Sequence, residues 1–247
     1  MERFSIKGLD GEVRFELECA NLTECLEAAV EKQIPLTDCD FRGIQLIGTY
    51  LRAADFSGSS FAGSYLVNVD FCSANLSNTN FSSAVLKNVF MVGANIQGAN
   101  LQPVKDDLWS ILDKAPAEVP GLITALKEGR IDGRVYVGPC ACLVGTIANI
   151  RSVHYRELLG IKPDSSRPAE NFFLSIFLGE TPETNPFSKL AVEWCEEWIA
   201  ARPWTQESAT GKTSNRGPNI QNIPLNTEEA LRIREASVSK PDNQDPL

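Results

Sequence analysis

Histidine is almost missing from this chain. His154 is the only one in 247 residues, so any imidazole-based acid–base chemistry has one place to happen. No apolar run approaches the roughly 20 residues of a membrane-spanning helix, which excludes that class of membrane protein. Met1-Glu2-Arg3-Phe4 opens no signal-peptide pattern. The seven cysteines (Cys19, Cys25, Cys39, Cys72, Cys140, Cys142 and Cys195) are odd in number and irregular in spacing, which is no disulfide framework. A cytoplasmic protein with reduced thiols and no membrane partner is expected. Bases are outnumbered, 23 against 32 acids, for a net charge of −9.

What the chain does have is a period of five. Leu36, Phe41, Leu46, Leu51, Phe56, Phe61, Leu66, Phe71, Leu76, Phe81, Leu86, Met91, Ile96 and Leu101 occupy fourteen consecutive fifth positions. Two residues before each, from Phe41 on, stands a mostly small residue, from Cys39 and Ile44 through to Ala94 and Ala99. A helix repeats every 3.6 residues and a flat strand every 2, so neither keeps this set on one side. A chain that turns a corner every five residues does, stacking one large and one small layer inside a solenoid.

Ala74-Asn75-Leu76, Gly93-Ala94-Asn95-Ile96 and Gly98-Ala99-Asn100-Leu101 carry the pattern most plainly, and it resembles the pentapeptide-repeat family. The resemblance implies a right-handed quadrilateral β-helix with four repeats per coil, hence just over three coils. At about 4.8 Å between stacked strands, that rod is on the order of 15 Å long. Some members of the family imitate DNA with a long acidic rod. Here residues 36–103 carry four acids against three bases, so the rod is nearly neutral and too short for that role.

The flanks read differently. Residues 1–35 alternate at Phe4 and Ile6, then at Val13, Phe15 and Leu17, around Gly8-Leu9-Asp10-Gly11, a β-hairpin signal. Asn21 and Glu24 sit at N-cap and capping-box positions of a helix with an apolar stripe of Leu22, Cys25, Leu26, Ala29 and Val30, stopped by Pro35. Together they form a cap for the solenoid's open first coil. Pro103 closes the repeat. Residues 104–202 read as a mostly α-helical C-terminal domain, with helices at 106–112, 120–128, 140–148, 154–159 and 168–173 and one capped by Asn185-Pro186. Val135-Tyr136-Val137 reads as a brief strand, and Phe172–Leu178 as either helix or buried strand. Hairpin, cap helix, repeat and a helical domain containing Cys-Ala-Cys-Leu resemble a group of phage and prophage proteins.

Candidate chemistry is sparse. Cys140, Cys142, His154 and Cys195 can be drawn as a zinc site, but C-x-C is not a zinc knuckle, and buried structural thiols are the better reading; no metal and no cofactor is expected. His154 with Cys140 or Cys142 as nucleophile and Glu157 as orienter is the one acid–base constellation, set against a surface or capping histidine; no catalytic residue is assigned. Arg151, His154, Arg156, Lys162 and Arg167 form the densest basic stretch, a candidate site for a phosphorylated ligand or nucleotide. The alternative is a mixed, solvated loop, since Glu157, Asp164 and Glu170 dilute it.

Residues 203–247 lack a sustained apolar period, and a flexible tail is expected. Within it Ala209-Thr210-Gly211-Lys212-Thr213-Ser214-Asn215, Pro218-Asn219-Ile220-Gln221-Asn222-Ile223-Pro224 and Arg232-Ile233-Arg234-Glu235-Ala236 resemble a segment of family-A DNA polymerases. That resemblance implies nucleic-acid contact by Lys212, Asn219, Gln221 and Asn222. The family's metal-binding Asp-Tyr-Ser motif does not follow Ala236, so polymerase chemistry is not expected; a recombination remnant is the other reading.

The function expected is a non-enzymatic protein-interaction module, phage-encoded and cytoplasmic in the host. It would bind a host or phage macromolecule through 104–202, with the β-helix as rigid scaffold. The alternatives are small phosphorylated-ligand binding by 104–202 and a DNA-associated role for the tail. A homodimer through the solenoid's apolar ends is a further expectation.

Overall fold

The computed structural model describes residues 2–202, which form one compact unit. Strands β1 (Glu2–Lys7) and β2 (Val13–Cys19) make an antiparallel hairpin with Phe4 opposite Leu17 and Ile6 opposite Phe15. Helix α1 (Leu22–Glu31) follows, and the Asn21 side chain accepts the Glu24 N–H at 2.9 Å. Glu24 reaches back to the N–H of Ala20 rather than Asn21, one residue off a regular capping box. Cys25, Leu26 and Ala29 are buried beneath it. The hairpin pairs directly with the first coil: Leu9 donates to Asp38 at 2.7 Å, and Asp40 donates to Lys7 at 2.8 Å. An edge that would otherwise recruit another strand is thereby used up.

From Leu36 to Leu101 all fourteen fifth-position side chains are buried. Backbone bridges join residues twenty apart, Asp40 to Ser60 to Asn80 to Asn100 and Asp55 to Asn75 to Asn95, so each coil is four repeats. One face is regular enough to form a parallel sheet of β3 (Gln45–Ile47), β4 (Tyr65–Asp70) and β5 (Val85–Phe90). The corners have a simple cause. In each of the thirteen repeats, the residue two after the large one has positive φ, from Asp38 to Gly98. Glycine, asparagine, aspartate and serine hold most of these positions because they reach the left-handed region at least cost. Inside, Phe41, Phe61 and Phe81 stack at 4.8 and 5.3 Å, with Phe56 and Phe71 set edge-on.

Helix α2 (Gln102–Leu112) starts directly after Leu101, earlier than the sequence implied, with Pro103 inside its first turn and no acid there. Then come α3 (Val119–Lys127), α4 (Leu143–Arg151), α5 (Pro168–Phe173) and α6 (Pro186–Ala200). Leu86, Val89 and Met91 of the last coil meet Val104, Pro168 and Phe172 around a cavity of about 10 Å³, and Asn88 donates to the Ser166 carbonyl at 2.9 Å. The helices therefore close the second end of the solenoid. Asn185 caps α6 by accepting from Phe187 and Ser188.

Three expected elements differ. The helix over 154–159 is absent because Ser152, with φ of 58°, ends α4, leaving only a 3₁₀ turn at Tyr155–Glu157. Val135–Val137 is not a strand; the bridge there joins Ile131 to Ala141. The apolar run after Phe173 leaves α5 as a turn, with Ile176 donating to Phe173.

Candidate interaction surface

The solenoid's four faces differ outside though they match inside. On the faces centred on Leu36 and Phe41, the residue before each large one, Pro35 apart, is polar: Asp55, Asn75 and Asn95, then Asp40, Ser60, Asn80 and Asn100. On the first of these faces the side chains form a ladder, Asn75 donating to Asp55 at 3.0 Å and Asn95 to Asn75 at 3.1 Å, and a further amide pair, Asn88 donating to Asn68 at 2.9 Å, stands at the corner between the third and fourth faces. The faces centred on Leu46 and Leu51, third and fourth in order, carry instead Tyr65, Val85, Ile47, Val67, Tyr50 and Phe90. Tyr50 is 70% exposed, Ile47 58%, Val85 51% and Tyr65 44%. An isolated exposed apolar residue is ordinary, but four on adjacent positions of one rigid surface are not.

Charge frames this patch. Arg52 pairs with Asp70 at 2.7 Å inside it. Burial pushes the Asp70 carboxyl up, but hydrogen bonds from the Cys72 thiol and N–H and the Arg52 guanidinium outweigh it, holding Asp70 below the usual carboxylate range. At the first-coil end, Glu27 of α1 accepts the Tyr50 N–H at 3.2 Å. At the third-coil end stands exposed Lys87, outward on β5.

The five basic-stretch residues are placed in two ways. Arg151 grips Glu118 through two bonds of 2.8 and 2.9 Å, tying α4 to the turn before α3. Arg167 grips Asp107 at 3.0 and 2.7 Å and Ser110 at 3.0 Å, and Asp107 also accepts the Ala169 N–H, which locks α5 to α2. His154, Arg156 and Lys162 are exposed. His154 accepts the Arg156 N–H at its Nδ1, 3.3 Å away, and its ring lies 4.5 Å from Tyr155. Beneath them Glu170 accepts from the Tyr136 hydroxyl at 2.9 Å and the Asp164 N–H at 2.8 Å, and burial raises its pKa.

Burial pushes the Cys142 thiol up to about 11 and that of Cys195 up to about 12, so both are protonated near neutrality and are poor nucleophiles. Among the described residues, no group of three or more His, Cys, Asp or Glu is placed to hold a metal, and no helix is long and apolar enough to cross a membrane. Lys212, Asn219, Gln221, Asn222 and the rest of 203–247 lie outside the described residues.

Reading every fifth residue found the core and missed the surface. The signal was there, in the residues on either side of the large one taken in steps of twenty: Gln45, Tyr65, Val85 and Ile47, Val67, Lys87.

The family model for pentapeptide repeats matches residues 36–71 and 64–102, in eight copies. Residues 36–102 are pentapeptide repeats. Among solved structures, the chain is similar to alr5209, a pentapeptide repeat protein from Nostoc PCC 7120, at 25% identity. That match covers 27% of this chain and 60% of the other, with a TM-score of 0.19. It is also similar to HetL, a pentapeptide repeat protein involved in heterocyst differentiation regulation in the same cyanobacterium. There the identity is 22%, the coverage 25% of this chain and 36% of that one, and the TM-score 0.15. The chain thus spans less than two thirds of either neighbour's length. No curated protein matches it.

Proposed function

We propose that this chain is a non-enzymatic interaction protein, cytoplasmic and of phage or prophage type, whose pentapeptide-repeat solenoid is both rigid support and binding surface. The observation that carries this reading is the row of exposed Ile47, Tyr50, Tyr65 and Val85 on two adjacent faces, where the positions before the large residues on the other two faces carry Asp, Asn and Ser from Asp40 on. A solenoid face is rigid because every coil is hydrogen-bonded to the next, so its backbone loses little further freedom on binding. Binding through the helical region is the second reading, favoured by Val137 and Leu159, which are both exposed there.

The test is affinity purification of the full chain from host cells beside an Ile47→Ser/Tyr50→Ser variant and a Leu159→Ser variant, read by mass spectrometry. A stoichiometric partner, of any kind, lost only from the first variant supports the solenoid face. Loss only from the second moves the site to the helical region. No protein partner, together with a small molecule released on denaturing the purified chain, overturns the reading in favour of a ligand-binding protein.

A further inference from the structure

The two strands of the N-terminal hairpin differ in what their outer edges meet. Lys7 accepts the Asp40 N–H and Leu9 donates to Asp38, so both turn their backbone groups to the first coil. Alternation then turns the groups of Ile6, Phe4 and Glu2 inward, onto the residues opposite them, Phe15, Leu17 and Cys19. Glu16 and Glu18 lie between these, so their N–H and C=O groups point away from β1. Among the described residues, no backbone group outside the hairpin bonds to β2. An open edge of this kind accepts a further strand.

The side chains along that edge select the partner. Phe15 and Leu17 turn toward α1 and are only partly buried against the core. Glu16 and Glu18 stand on the opposite face, their side chains 52% and 66% exposed. One guanidinium, that of Arg3, serves both carboxylates, at 3.5 Å from each. The next base along the strand, Arg14, is held by Asp10 at 2.6 Å. Arg14 also has no residue opposite it in β1, so the regular ladder ends at Phe15.

We infer that β2 is a docking edge for an extended, basic segment of another protein, with lysine or arginine at alternate positions and apolar side chains between them. Laid beside β2, such a segment sets its bases against Glu16 and Glu18 and its apolar side chains beside Phe15 and Leu17. Its backbone meets the outward N–H and C=O groups of the same two glutamates. A second copy of this chain is a poor occupant. Antiparallel pairing centred on Leu17 sets Glu16 against Glu18 of the other copy, and pairing centred on either glutamate sets it against itself. An acidic segment meets the same repulsion. The edge is separate from the solenoid face and does not depend on it.

The probe is a fluorescein-labelled peptide of alternating lysine and valine, about ten residues long, titrated with the full chain and read by anisotropy. Binding is expected, and the matched glutamate–valine peptide should bind about ten-fold more weakly or worse. Hydrogen exchange read by NMR should slow at the Glu16 and Glu18 amides when the lysine–valine peptide is bound, because those groups gain acceptors. A lysine–valine peptide methylated at every backbone nitrogen keeps its charge but has no donor for strand pairing, and should not bind. Glu16→Lys/Glu18→Lys should exchange the preference, losing the lysine–valine peptide and taking the glutamate–valine one, with a circular dichroism melt to establish that it is folded. Ile47→Ser/Tyr50→Ser should bind the lysine–valine peptide as the unaltered chain does. Binding of neither peptide, or of both equally, overturns the inference and leaves the glutamates and the break at Arg14 as guards of the edge. So does binding that survives methylation, that leaves both amides exchanging as before, or that persists in the folded Glu16→Lys/Glu18→Lys variant. Loss of the peptide from Ile47→Ser/Tyr50→Ser would overturn it in favour of the solenoid face.

Discussion

Ser59 and Ser64 stand on the same inner layer of the solenoid, each two residues before a large side chain, and each is buried. Their hydroxyls do different things. Ser59 Oγ donates to the Leu36 carbonyl at 2.6 Å and accepts the Cys39 N–H at 2.8 Å, bridging the first turn of the first coil. In the repeats that follow, the same turn closes on itself, as where Ile44 donates to Phe41 and Ser64 to Phe61. Ser64 Oγ has no partner among the described residues.

Replacing each by alanine therefore isolates two hydrogen bonds at constant volume change and burial. Ser59→Ala strands a buried donor and a buried acceptor, each costing about 1–3 kcal/mol if left unmade. Partial closure of the turn recovers some of this, so about 2–3 kcal/mol is the expected loss. Ser64→Ala removes an unsatisfied hydroxyl and should be neutral or stabilising by up to about 1 kcal/mol. The two variants thus differ by about 2–4 kcal/mol, which for a unit of this size is about 4–16 °C in Tm. Urea titration and thermal melts followed by far-ultraviolet circular dichroism measure both. Equal losses for the two variants would refute the argument, because they would show that methylene-scale packing, and not the bridge, decides the layer.

Other outcomes follow from the same geometry. Ala53 sits at a corner with φ of 56°, a position where glycine is least strained, so Ala53→Gly should stabilise by about 0.5–1 kcal/mol, read as a rise in urea midpoint. A methyl group at Gly133 would overlap the Phe173 carbonyl, while Gly133 itself donates to Ile176 at 3.0 Å; Gly133→Ala should cost about 2 kcal/mol or more in the same titration. Glu170 has its pKa raised from 4.5, chiefly by burial. Its folded form holds the proton more tightly, so its contribution is fully present below about 4.5 and is lost as pH rises through the folded value. The Tm difference of Glu170→Gln relative to wild type should therefore move in the variant's favour between about pH 4 and pH 7, and a difference independent of pH would count against this assignment.

How far the sequence could be read depended on the range of the interaction that decides each feature. The solenoid's core was readable because one side chain in five is large and the next coil repeats the choice, so Leu36 to Leu101 carry their own register. Asn21 and Asn185 were readable as caps because a cap is satisfied within three residues. Ser152 was not, since a serine at positive φ has no local signature, and missing it extended a helix over His154 that the chain does not form. The basic stretch shows the limit most clearly. Arg151 and Arg167 looked like members of one cluster because they are close in sequence, yet their partners, Glu118 and Asp107, lie 33 and 60 residues away. A count of neighbouring charges weighs only the acids nearby, and here it could not see the two that hold these guanidinium groups. The apolar faces fall between these cases. Their spacing of twenty is fixed by the five-residue period itself, so Gln45, Tyr65 and Val85 become one column as soon as four repeats make a coil. The period that builds the core thus also aligns the surface, and a repeat protein of this kind can place an interaction site by changing only the residues beside its large ones.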